Sequence, residues 1–326
     1  MHTYAAYYDH PIRKESSSGG MFSLIASHYE IIYGVAMTAD CHGAEFIRVT
    51  GDITPLRGSK YFQARVGTTF KQVKQDLEEG RKVLFTGTGC QVNGLKMYLK
   101  KEYTNLLTVD VVCHGVPSPK LWAAYADYQE MQHGKLEHVN FRCKEHGWRD
   151  FGMQENQLFI SKDTDPFMQM FLRDYCLRPA CYQCHAKKMK LSDITIADFW
   201  GIESVAPEMT DGMGTSLVIT RTEKGQAVFD QIKPEIVWKE VPYEEGVRGN
   251  PAEFRSPAKP DLRNTFFDDL SSIPFSEMIN KYAQPRKVPT SVRIKRTIRR
   301  VLKKLLRGGD SNISHADYGI LFTFRG

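Results

Sequence analysis

At 326 residues, 41% of them hydrophobic and 25% charged, the chain is long enough to bury one large core or two smaller ones, which excludes a disordered or fibrous protein. The formal charge of +6 is unevenly placed: Arg286 to Arg307 holds ten basic residues and no acidic one, leaving 34 basic against 38 acidic residues elsewhere. A mildly acidic body argues against a nucleic-acid-binding face. No long apolar run is present and MHTYAAYYDHPIRKESSSGG lacks the regions of a signal peptide, so a cytoplasmic location is expected.

In chain order, TYAAYY (Thr3 to Tyr8) reads as a short strand. SSSGGMFSLIASHYE reads as a serine and glycine loop feeding a helix, with Met21, Leu24, Ile25 and His28 near one face. YGVAM and EFIRVT read as strands of a small sheet, and TTFKQVKQDLEEG as a helix stopped at Gly80. An α/β rhythm follows. KVLFTG is a buried-type strand, TGC a tight turn and QVNGLKMYLKK a helix; NLLTVDVVC, CHGVPSP and KLWAAYADYQEM repeat the pattern. DPFMQMFLRDYC reads as a helix before a cysteine-rich loop, DITIAD and TSLVIT as strands, and TEKGQAVFDQI as a helix. From about residue 240 to Tyr282 irregular segments and the short helix FFDDLSSI wrap the core. Within Val292 to Arg307, Ile294, Ile298, Val301, Leu302 and Leu305 recur at helical spacing among basic residues, a basic amphipathic helix suited to an anionic membrane surface or to an acidic protein face. The expected fold class is α/β, a largely parallel or mixed sheet with flanking helices and a basic helical tail. Ligands of such sheets gather at the carboxyl ends of the strands, where Cys90 and Cys113 both fall.

Seven cysteines in a reducing compartment do not suggest a disulfide framework. CYQCH (Cys181 to His185) matches a haem-attachment box, but covalent haem belongs to exported proteins. A redox dithiol wants its pair at the start of a helix directly after a strand, and a zinc ribbon wants a second CxxC. Plain burial suits Cys41 and Cys143. An iron-sulfur cluster takes four thiolates from separate loops as readily as from one run, and five candidates remain: Cys90, Cys113, Cys176, Cys181 and Cys184.

SSSGGMFSLIA, RGSKYFQA, VLFTGTGCQVNGLK, LLTVDVVCHGVPSP, FRCKEHGW and CLRPACYQC followed by SDITIADFWG, in this order, resemble the beta-subunit family of coenzyme F-420 hydrogenases and dehydrogenases, over nearly the whole chain to about residue 282. The resemblance extends to bacterial members encoded with polysaccharide-biosynthesis genes. It implies a flavoprotein, usually with FAD, that carries a 4Fe-4S cluster and passes electrons between the flavin and a one-electron carrier. Position by position, Cys90, Cys113, Cys181 and Cys184 look like the family's ligands, and Cys176 resembles an extra cysteine of the bacterial branch. Two departures stand out. Nothing here resembles the ferredoxin-like domain of many relatives, so electrons are expected from a separate ferredoxin or a partner subunit. The family's usual Pro before the first ligand is Gly89.

For the flavin diphosphate, Ser17, Ser18, Gly19 and Gly20 offer backbone donors at a helix start, and Ser59, Lys60 and Tyr61 a cation and neighbours. Gly87 and Thr88 lie in a strand-end turn, His114 sits beside Cys113, and Asp198 ends a strand where it would reach ribityl hydroxyls; without the resemblance these are an ordinary helix cap and solvated side chains. The expected organisation is an N-terminal α/β part (1–80) contributing to the flavin site, an iron-sulfur and flavin core (81–282), and the basic tail (283–326). The expected function is an iron-sulfur flavoprotein oxidoreductase, at the inner face of the membrane if the tail binds there. The competing reading is a zinc-stabilised scaffold of a glycan-assembly complex.

Overall fold

The structure, a computed structural model, describes residues 1–284, which form one compact unit; the basic stretch Arg286 to Arg307 lies outside the described residues. The strands are β1 (His2–Tyr8), β2 (Ile31–Met37), β3 (Ala44–Val49), β4 (Val83–Thr88), β5 (Leu106–Val111), β6 (Val139–Cys143), β7 (Gly152–Glu155), β8 (Leu158–Ser161), β9 (Ile194–Asp198), β10 (Ser216–Thr220) and β11 (Ile236–Glu240). The helices are α1 (Ile12–Glu15), α2 (Met21–Ser27), α3 (Thr69–Glu78), α4 (Gly89–Leu99), α5 (Pro119–His133), α6 (Pro166–Phe171), α7 (Ile202–Val205), α8 (Glu223–Ile232), α9 (Tyr243–Val247), α10 (Arg263–Ser272) and α11 (Phe275–Tyr282).

Eight strands form one mixed sheet in the order β11-β1-β10-β9-β5-β4-β2-β3, and β6, β7 and β8 form a second, antiparallel sheet. The centre, β2-β4-β5-β9, is parallel, as the α/β rhythm implies, whereas β1, β10, β11 and β3 join antiparallel. YGVAM and EFIRVT therefore do not make a small sheet of their own: Ile31 pairs with Val83, which carries β2 and β3 into the main sheet. Alternation along each strand feeds two faces. Leu84, Leu107 and Val218 pack with α2 and α8, while Val83, Phe85 and Leu106 pack with α3 and α4. A third, aromatic core around Trp122 and Phe141 joins α5, α6, α10 and α11 to β6 and β7.

One local difference places a site residue. The sequence reads TGC as a turn, but Thr88 caps α4 through a capping box with Gln91, whose Oε1 accepts from the Thr88 N–H at 2.8 Å. The helix thus starts at Gly89 and puts Cys90 in its first turn. Similarly, α6 ends at Phe171 and Asp174 takes a left-handed φ of 64°, so the cysteine loop begins before Cys176.

Candidate functional site

Because β4, β5 and β9 are parallel neighbours and β1 runs antiparallel to β10, the carboxyl ends of β1, β4, β5 and β9 lie along one edge of the sheet. All the candidate site residues but Cys176 gather along this edge. That is where an open α/β sheet offers a crevice.

Cys90 from α4, Cys113 from the loop after β5, and Cys181 and Cys184 from the 3-10 segment Pro179–Gln183 and its end line one cavity, together with Thr88, Gly89, Asp110 and Lys187. Cys90 is exposed and the other three are half-buried. The Val116 N–H donates to Cys181 Sγ at 3.4 Å. Burial pushes the Cys113 thiol up to about 12, opposed by Lys187 and reinforced by the three neighbouring cysteines, and burial also raises Cys181. Four thiols lining one cavity form a soft donor set suited to a multiply charged metal centre. Lys187 Nζ, its pKa lowered by burial, donates to the Cys113 carbonyl at 2.6 Å and to that of Ala252 at 2.5 Å, pinning the loop. Gly89 closes the floor: a Cβ there would meet Asp110 Oδ2 at 2.9 Å, so glycine instead of proline suits this chain's own packing. Asp110 is held by Ser192 Oγ at 2.8 Å and Thr195 Oγ1 at 2.5 Å.

Among the described residues no three His, Cys, Asp or Glu side chains are grouped closely enough to hold a metal ion as they stand. A four-iron cluster spreads its ligands over separate metal atoms, and the four cysteines line one cavity. Cys176 does not join them. It is fully buried in the aromatic core beside Leu177, where burial drives its thiol upward, and its carbonyl accepts from the Ser118 N–H at 2.8 Å.

A second group of residues lies at the ends of β1 and β9. Ser17 Oγ is 3.1 Å from Ser59 Oγ, joining the SSSGG loop to GSKY. The Arg142 guanidinium pairs with Asp198 at 3.0 Å and lies 3.8 Å from the Phe151 ring centroid. Trp148 stacks on Trp200 at 4.5 Å and its Nε1 is 3.4 Å from Asp198 Oδ1. Among the described residues Arg142 Nε is buried without a hydrogen-bond partner, an orphaned donor compatible with an acceptor group such as a flavin would bring. Gly19 is required for packing, since a Cβ would stand 2.6 Å from the Ala6 carbonyl, and Gly20 takes a φ of 82° at the start of α2.

Lys60 differs from expectation. Its ammonium donates to the carbonyls of Pro55 at 2.9 Å and Arg57 at 2.7 Å, and burial lowers its pKa to about 7. It holds its own loop first. Lys144, which donates to the carbonyls of Arg13, Ser18 and Met213, braces the SSSGG loop in the same way. Thr88 is spent on capping α4, and Gly87 packs against Gln91 and Phe46. His114 is exposed and stands 2.5 Å from Asp174, on the cavity lining. Sequence reasoning recognised FRCKEHGW but assigned no role to its Arg142, Lys144 or Trp148, and it missed Lys187. Basic residues inside a glycine- and aromatic-bearing motif were the available signal.

The fold and site define an open mixed α/β sheet whose strand ends gather cysteines and buried cations. The family model for the C terminus of the coenzyme F420 hydrogenase/dehydrogenase beta subunit matches residues 80–245, more than half of the chain, and the chain belongs to that family. It thus stands among hydrogenase- and dehydrogenase-type subunits of the oxidoreductase class. The F420-reducing [NiFe] hydrogenase complex from Methanosarcina barkeri, solved as a xenon derivative, contains a chain of similar fold: TM-score 0.53, 16% identity, covering 86% of this chain and 91% of that one. No curated protein matches.

Proposed function

We propose that this chain is an iron-sulfur flavoprotein oxidoreductase that couples two-electron chemistry at FAD to one-electron transfer. The observation that carries this reading is the set of four thiols, Cys90, Cys113, Cys181 and Cys184, brought from three separate segments to one cavity. These four would hold a 4Fe-4S cluster, with Cys176 left to the core. Residues 1–80 supply Ser17 to Gly20 and Ser59 to Tyr61 to the flavin cradle, and residues 81–282 supply Arg142, Asp198 and all four thiols. When bound, a flavin exchanges a hydride in one step or electrons singly, and a cluster carries one electron at a time.

The chain's own residues have definable tasks in this reading. Arg142, fixed by Asp198, would offer its Nε, which has no partner among the described residues, to a flavin acceptor, and the stacked Trp148 and Trp200 would form an apolar wall beside it. Lys187 and the Val116 N–H hold charge and a hydrogen bond beside the thiolates, stabilising their added negative charge. A polysaccharide-biosynthesis setting and a ferredoxin as electron source belong to the same proposal.

Anaerobic purification followed by absorption spectroscopy and metal and flavin analysis tests it. The expected result is a brown protein with about four irons per chain, as the cluster requires, and bound flavin. A colourless protein holding one zinc overturns it in favour of a scaffold.

A further inference from the structure

The cluster cavity opens beside α4, and the outer side of that helix carries features that the proposed chemistry has not used. Cys90, in its first turn, is exposed, and Val111 at the cavity lip is 41% exposed. From this lip the Cys184 loop is clamped along the helix. Asn93 Nδ2 donates to the Met189 carbonyl at 2.8 Å, and its Oδ1 accepts from the Leu191 N–H at 3.3 Å. At the far end Lys96, Met97, Lys100, Lys101, Glu102 and Leu191 line a surface hollow. An α-helix of this length spans about 16 Å, with the cavity at its first turn and the hollow at its last.

The charges on this face are of one sign once the internal pairs are removed. Glu102 is paired with Lys96 at 2.8 Å, Glu253 is buried between Lys190 and Arg221, and Asp110 is buried under Gly89. Lys100, Lys101 and Lys188 are exposed, and among the described residues none of them pairs with a carboxylate. Between them Met97 is 65% and Met189 44% exposed, offering adaptable apolar contact. This cationic patch sits on a body with an excess of acidic residues, so its sign is local.

We propose that this face docks an acidic one-electron carrier protein, with the lysines steering it and the methionines making the contact next to Cys90. Steered, small and quickly broken interfaces suit transient electron exchange. A cluster held by the four thiolates would take one electron from each reduced carrier, leaving the carrier oxidised and no bond made or broken, and two encounters would supply the two electrons that with one solvent proton make a hydride equivalent. The assignment rests on the cluster reading given above, and binding is therefore measured separately from electron transfer.

The experiment titrates the full chain with an acidic bacterial ferredoxin by calorimetry at low and raised ionic strength. The comparison is with a Lys100→Glu/Lys101→Glu/Lys188→Glu variant and with Lys135→Glu, a control beyond the end of α5. Affinity of the unaltered chain should fall as salt rises, and the triple variant should bind about tenfold or more weakly at low salt, as expected for loss of rim charge. The control should bind normally, and far-ultraviolet dichroism confirms that each variant is folded. Absence of binding at low salt, or equal binding and equal salt dependence in the triple variant, overturns the docking face even if the cluster is present. Lysine-dependent binding by a preparation without iron supports the docking face while removing the cluster reading.

Discussion

Replacing Arg142 by Met takes away the buried cation of the proposed flavin cradle. Its side chain is 3% exposed and stands 3.0 Å from Asp198, whose side chain is 19% exposed. Breaking a buried ion pair from one side costs about 3–5 kcal/mol, because the surviving charge is stranded, and the residual hydration of Asp198 places this case at about 3 kcal/mol. Methionine fills the slot beside Phe151 and Trp200, so a cavity adds little. For a unit of this size, with an unfolding entropy of about 0.6 kcal/mol/K, the loss lowers the melting temperature by roughly 5 °C. Combining Arg142→Met with Asp198→Asn removes the stranded charge and should recover at least about 1 kcal/mol relative to the sum of the single effects. Calorimetry of the full chain measures this, and flavin content after reconstitution should remain low in both the single and the double variant. A double variant whose cost equals the sum of its parts refutes the ion-pair reasoning, and one that retains flavin refutes the contact between Arg142 and the cofactor.

Cys181→Ser should lose most of the iron after anaerobic reconstitution, whereas Cys176→Ser should keep it and melt lower, since a hydroxyl in an apolar core costs about 1–3 kcal/mol; equal iron loss in both would make Cys176 a ligand. Asp165 and Glu155, both buried, share the Tyr125 hydroxyl, which lies 2.6 Å from Asp165 Oδ2, and burial raises the Asp165 pKa to about 7. The native state therefore binds this proton more tightly than the unfolded chain, so the stability it contributes is complete below about pH 4 and is lost as pH rises through 7. Urea midpoints between about pH 5 and 8 should fall less in Asp165→Asn, which still caps α6, than in the unaltered chain, and parallel curves would exclude this group. Full-length protein should float with anionic vesicles better than a chain ending at Gln284, each tail cation near the surface adding about 1 kcal/mol; equal flotation removes the membrane role of Arg286 to Arg307.

Much of the α/β body was legible because its strands are short apolar runs with clear stops, as in KVLFTG and NLLTVDVVC, and its helices have caps such as Ser118 and Thr222. The second sheet was not. Strands β7 and β8 are four residues each, and GMQE and LFIS carry too little alternation to stand out. Strand β11 was hidden for a related reason: it is an edge strand with four of its five residues exposed. The four thiols of the candidate site could be nominated from their loops, but Arg142 and Lys187 could not. Their importance comes from burial and from acceptors such as Asp198 and the Cys113 carbonyl, which are distant in sequence.

The sequence by itself determined the α/β class, the family and the five cysteines worth testing, because hydrophobic period, strand-end turns and ordered motifs are local properties of the chain. The tertiary structure showed which of those cysteines line one cavity. Parallel pairing of β4 with β5 sets Cys90 beside Cys113, the Cys184 loop is carried over them by its clamp to α4, and Cys176 is drawn into the aromatic core. The same packing turned Lys60 toward its own loop and brought Arg142 to Asp198, outcomes that depend on which buried donor finds which acceptor after the sheet has closed.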